Sequence, residues 1–140
     1  MRLVVLDASA ATELVLERDA AAAVERMLRS QIALVPVFFD AEVFAALRGL
    51  IRRRVIDPEQ GRQALFVLRR IRVRRAAITP LLAEAFAIRD RFSPYDAFYA
   101  IVARLSQATL VTCDRGLARA AKGYCEVEYV ALGECVGPTR

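Results

Sequence analysis

The chain has 140 residues, 56% of them hydrophobic, which suits one domain with a sizeable core. It contains no histidine and a single lysine, Lys122. That excludes the usual histidine general base, HExxH zinc chemistry, and P-loop or Schiff-base mechanisms that need a lysine in context.

GxGxxG is missing as well. Three cysteines, Cys113, Cys125 and Cys135, have no CxxC spacing, and an odd number argues against a disulfide framework. Cys113, at a strand end, reads as a small core residue. The net charge is +5, unevenly spread. Residues 48–75 carry ten arginines against Asp57 and Glu59, a net of +8, while the remainder nets −3. Such a block suits a polyanion backbone. It also suits a solvated face in an arginine-rich chain, or, at Arg52, Arg53 and Arg54, a helix C-terminus. Charges interrupt every apolar stretch, so no membrane span is expected. The run before Asp7 is too short for a signal-peptide core, and the expected location is the cytoplasm.

In chain order, Leu3–Leu6 reads as a buried strand, and Ala8 and Ser9 open a helix. Alone, Asp7 or Ser9 serves as a helix cap. Ala21, Val24, Met27 and Leu28 give a second helical stripe; residues 32–35 form a strand closed by Pro36. The next helix turns Phe39, Val43, Ala46, Leu47, Leu50 and Ile51 inward. Glu42 lies at the edge of that face among small residues, Ala45, Ala46 and Gly49, which leave room for another group or for tight packing. Asp40 points elsewhere and is left out of the site.

Pro58 starts a helix bearing Leu65, Leu68 and Ile71. Residues 76–78 read as the third strand, and Pro80 opens a helix with Leu81, Ala85, Ile88 and Phe92 at core spacing. Ser93 and Pro94 are start signals for another helix, whose stripe is Phe98, Ile101, Val102 and Leu105. Ser93 and Asp96 have capping-box spacing. Thr109–Thr112 is a β-branched strand, Asp114 opens a further helix, and residues 127–132 form a last strand. Strands alternating with helices predict an α/β fold, a mostly parallel sheet of four to five strands with helices on both faces. Residues 1–132 form the domain and 133–140 a C-terminal tail.

Asp7, Glu42, Asp96 and Asp114 each follow a strand or begin a helix. Singly, each has a structural explanation; together they lie where an open α/β sheet binds ligands. Four gathered carboxylates repel by about 3 kcal/mol per pair at roughly 5 Å and an effective dielectric near 20. Such a cluster takes up protons or a hard cation.

The segments VVLDASA (4–10), FDAEVFAALR (39–48), SPYDAFYAIVA (93–103) and LVTCDRGLARAA (110–121) resemble, in order and separation, the PIN domain of VapBC-type toxin ribonucleases. The resemblance implies a single PIN-like domain in which Asp7, Glu42, Asp96 and Asp114 bind Mg²⁺ or Mn²⁺, with Ser9 and Thr112 as supporting hydroxyls. It implies a metal-dependent endoribonuclease leaving 5′-phosphate and 3′-hydroxyl ends, inhibited by a cognate VapB-type antitoxin and forming a homodimer. Ala45 departs from the pattern, since many relatives carry Asn there. Arg48, Arg52, Arg53 and Arg115 are the candidate RNA contacts. Two other readings stay open. One is a haloacid-dehalogenase-like phosphatase with Asp7 as nucleophile, which wants a second Asp where Ser9 stands and a late lysine. The other is a non-catalytic module, a phosphoacceptor receiver or an RNA binder.

Overall fold

The computed structural model describes residues 2–132. Strand β1 (Leu3–Leu6) leads into helices α1 (Ala8–Val15) and α2 (Ala21–Leu28), and β2 (Ile32–Pro36) into α3 (Phe39–Arg52) and α4 (Pro58–Arg70). Strand β3 (Val73–Ala76) passes through a 3₁₀ turn at Thr79–Leu81 into α5 (Leu82–Ala87) and α6 (Pro94–Leu105). Then β4 (Thr109–Thr112), α7 (Arg115–Ala121) and β5 (Val127–Tyr129) follow. The expected tail at 133–140, with Cys135, lies outside the described residues.

The five strands lie in the order β3-β2-β1-β4-β5, with every neighbouring pair parallel. The central strands are covered on both sides, which is why their sequences are apolar runs and not alternations. Val5, Leu6 and Leu110 are fully buried. The chain adds strands outward from β1 in one direction, then returns to add β4 and β5 in the other. Right-handed crossovers therefore place α1 to α4 on one face and α5 to α7 on the opposite one. Helix α1 packs on α2, α3 and α4, while α6 packs on β1, β2 and β4. The reversal between β1 and β4 leaves a crevice at their carboxyl ends.

Most expected elements form, and the exceptions have physical causes. The third strand is Val73–Ala76, not 76–78. Arg74 and Arg75 are exposed on this edge strand, so charge conceals it in the sequence. Pro36 does not close β2 from outside but is its last residue. The helix expected from Pro80 through Phe92 is only Leu82–Ala87, and Phe92 is buried from the turn beyond it. The last strand ends at Tyr129.

Helix α6 has no single core stripe. Every residue from 97 to 103 is buried, whereas Leu105, expected inside, is 56% exposed. Ala97, Ala100 and Ala103 are small enough to bury the sides of the helix that apolar periodicity would leave in water. Ser93 has the extended backbone of an N-cap but makes no side-chain cap bond, so neither the cap nor the capping box forms there. A capping box forms instead between Asp57 and Gln60 at the start of α4. Gly61 permits α4 to approach α3: a Cβ there would stand 2.7 Å from Ile51 Cδ1.

Candidate active site at the strand switch point

The crevice between β1 and β4 is built around Asp7. Its carboxylate is 5% exposed and caps α1 through Ser9 N–H, which donates to Asp7 Oδ2 at 3.3 Å. Two hydroxyls donate to the same oxygen, Thr112 Oγ1 at 2.8 Å and Ser9 Oγ at short range. Both hydroxyls are oriented from behind, because Cys113 N–H donates to Ser9 Oγ and Asp114 N–H to Thr112 Oγ1, each at 3.0 Å. With each proton directed at Asp7, the 3.2 Å separation of the two hydroxyl oxygens is proximity and not a further bond. All these bonds land on Oδ2 and leave Oδ1 clear of them.

Glu42 reaches the crevice from the first turns of α3. Phe38, just ahead of that helix, packs edge-on against Tyr95, Phe98 and Tyr99 of α6, with ring centroids 5.0, 5.8 and 5.7 Å away. This aromatic cluster locks the start of α3 to the start of α6 and so brings Glu42 toward Asp96. Glu42 Oε1 is buried without a hydrogen-bond partner, as is the hydroxyl of Tyr99, which lies near enough to ease the proton affinity of Glu42. Asp114 sits at the N-cap of α7, where its Oδ1 accepts from Leu117 N–H at 3.1 Å.

The electrostatics fit a shared site. Burial pushes Asp7 above the ordinary carboxylate range, Ser9 and Thr112 oppose the rise, and the charge of Asp96 adds to it. Glu42 is raised by burial, eased by Tyr99, and raised again by Asp7 and Asp96. Asp96 is raised by burial, lowered by the nearby Ser93 hydroxyl, and raised by Asp114. Asp7, Glu42 and Asp96 are thus each raised in part by another acid of the four. They are neighbours and not a closed cage: among the described residues no three His, Cys, Asp or Glu side chains form a ready ligand set. The donor chemistry nonetheless fits a hard cation. Glu42 Oε1 is an unpaired buried acceptor, Asp7 keeps a free oxygen, and every candidate ligand atom is oxygen.

The other expected contributors divide. Arg48, Arg52, Arg53 and Arg115 are all exposed. Arg53 lies three turns along α3 on the face of Glu42, whereas Arg48 is turned about 120° away. Two members of the basic block are paired, Arg62 with Glu59 and Arg75 with Asp40. Cys113 is buried and its thiol is pushed up to about 11 by burial, in keeping with a core residue. Sequence reasoning missed Tyr99, hidden in the apolar pattern of α6. It also missed Glu13, which is 7% exposed although it reads as a solvated charge on α1. The available signal was its position one turn beyond Ser9 among alanines.

No helix among the described residues is long and apolar enough to cross a membrane. The PIN domain family matches residues 4–123. The chain is 36% identical to Ribonuclease VapC12 of Mycobacterium tuberculosis, over 92% of its own length and all of that protein. It is 31% identical to Ribonuclease VapC9 of the same organism, over 91% of this chain and 98% of the relative. Among solved structures, PAE2754 from Pyrobaculum aerophilum superposes with a TM-score of 0.65 at 26% identity, covering 91% of this chain and 83% of that one. The chain therefore belongs to the PIN domain family and, within it, to the group of VapC relatives.

Proposed function

We propose that this protein is a Mg²⁺- or Mn²⁺-dependent endoribonuclease, the toxin of a type II toxin–antitoxin pair. What supports this reading is the electrostatic coupling at the switch point: Asp7, Glu42 and Asp96 are each raised in proton affinity, in part by another acid of the four, and Glu42 Oε1 is buried without a partner. The names of the VapC relatives supply the substrate class.

When bound, a divalent cation supplies a Lewis acid for the scissile phosphate and a water of lowered pKa. The chain does the rest. Glu42 and Asp96 offer oxygens from facing helices. Ser9 and Thr112 donate to Asp7 Oδ2, which favours the ionised carboxylate against the effect of burial and leaves Oδ1 clear of their bonds. Asp114 presents its second oxygen from the start of α7. Arg53 and Arg115, exposed beside the crevice, offset the negative field that would repel RNA. A VapB-type antitoxin, a homodimeric state and a cytoplasmic location complete the reading by analogy with the VapC relatives.

A phosphatase using Asp7 as nucleophile finds less support. Asp7 is buried under three hydrogen bonds, and Ser9 stands where a second acid is needed. The test is cleavage of unstructured RNA in Mg²⁺ or Mn²⁺ against EDTA. Cutting should require the ion and fall about 100-fold or more in Asp96→Ala. Equal turnover in EDTA, or an undiminished variant, would overturn the reading.

A further inference from the structure

Beside the quartet, between α1 and α3, an open cavity of about 200 Å³ holds a buried charge that the chemistry above does not use. Ser9, Glu13 and Arg18 line one side, Leu50 and Arg53 the other, and Cys113 the end near β4. Glu13 is 7% exposed, and its Oε2 has no hydrogen-bond partner. Arg18 Nε stands 3.4 Å from that oxygen, an ion contact without the alignment of a hydrogen bond. Burial raises the proton affinity of Glu13 and the Arg18 charge only partly offsets it, so a buried acceptor without a hydrogen bond is costly unless a ligand donates to it.

We propose that this cavity is the base-reading subsite of the nuclease, in which Glu13 selects an unpaired guanine beside the scissile phosphate. The inference rests on the ribonuclease reading above. Size limits the occupant: the cavity holds about seven water volumes and is smaller than a typical drug-sized pocket. One planar base fits. Charge limits it further, because Glu13 repels a phosphate, while Arg18 and Arg53 repel a second cationic side chain. The occupant is a neutral group rich in donors. Guanine alone among the bases presents two adjacent N–H donors, at N1 and N2, which match the two oxygens of a carboxylate. Adenine, cytosine and uracil place an acceptor beside their donor and would set it against Glu13.

Guanine O6 can then accept from Arg18 or Arg53, arginine being the usual donor to that atom. Arg53 spends only its Nε on Gly49 O, at 3.4 Å, so its terminal N–H groups remain available. Leu50 and Cys113 flank the ring. Single-stranded RNA is read in this way, by splaying a base into a pocket. Ser9, which bonds Asp7, lies one turn before Glu13, about 6 Å along α1. A base in the cavity therefore belongs to a nucleotide next to the phosphate held at the quartet.

The experiment uses the full chain with Mn²⁺ and a set of single-stranded oligonucleotides differing at one position, carrying guanine, inosine, adenine, cytosine or uracil. Cleavage should be about tenfold or more faster with guanine than with adenine, and inosine, lacking the N2 amino group, should fall between. In Glu13→Gln, with its melting curve matched to wild type, that ratio should collapse toward one. Equal wild-type rates on all five RNAs, or a Glu13→Gln protein that keeps the ratio, would overturn the assignment. So would an intact ratio combined with weakened capture of an arginine-rich peptide, which would give the cavity to a protein partner. Fluorescence anisotropy of the same RNAs reads the preference without cleavage. A protein that binds guanine selectively and never cuts would overturn the ribonuclease reading and leave this subsite standing.

Discussion

Thr112 Oγ1, at the end of β4, donates to Asp7 Oδ2, at the end of β1, across 2.8 Å and a sequence separation of 105 residues. The same hydroxyl receives the N–H of Asp114 at 3.0 Å, so one buried atom sets the position of two site acids. Thr112→Val keeps the shape but leaves Asp114 N–H and Asp7 each short of a partner. The expected cost is about 1–3 kcal/mol by urea denaturation. The acidic limb of the pH–rate profile should also move upward, because a donor that favours ionised Asp7 is lost.

Tyr99 predicts a different separation of stability from titration. Its hydroxyl is buried with no partner, and burial beside Glu42 raises it far above the ordinary phenol range. Tyr99→Phe should therefore be nearly neutral or slightly stabilising in a melting experiment. Because Tyr99 eases the proton affinity of Glu42, its removal should raise Glu42 further, seen as weaker Mn²⁺ binding near pH 5 than in wild type.

Asp7 gives a stability prediction with a definite sign. Its affinity for protons is raised in the folded state, so it favours folding when protonated and penalises folding as pH rises through its folded pKa. Metal-free Asp7→Asn should melt above wild type at pH 7.5, and the gap should close as pH falls through the carboxylate range. Mg²⁺ should raise the melting temperature of wild type at pH 7.5 and leave the variant nearly unchanged.

Asp40, on α3, provides the opposite sign. Its hydrogen bonds to Arg75, at 2.6 and 2.7 Å, hold it below the ordinary carboxylate range. That stabilisation is present at neutral pH and disappears as pH falls through the carboxylate range. Both partners are 44% exposed, so Asp40→Ala should cost less than about 1 kcal/mol in urea denaturation. RNA cleavage by this variant should match wild type.

Much of the fold was legible in the sequence, and the parts that were not share a cause. The central strands showed because burial on both faces makes them apolar runs, and β1 runs straight into Asp7. Strand β3 was misplaced because arginines occupy its exposed edge positions, where burial imposes no pattern. Leu105 was misassigned because α6 is buried nearly all round, so alanines carry contacts that periodicity attributes to large residues. The influence of Asp96 on Glu42 goes with the packing of Phe38 against α6, a tertiary contact with no local signature. Glu13 escaped notice because a glutamate on a helix reads as solvated until its neighbours are known.

The central claim is that acids from four separate segments act as one cation site. Titration of the purified protein with Mn²⁺, followed by electron paramagnetic resonance, tests it most directly. Wild type should take up one or two ions per chain near neutral pH, and Asp7→Asn or Asp96→Asn should lose that uptake while remaining folded. No uptake by wild type, or undiminished uptake by both variants, would contradict the account.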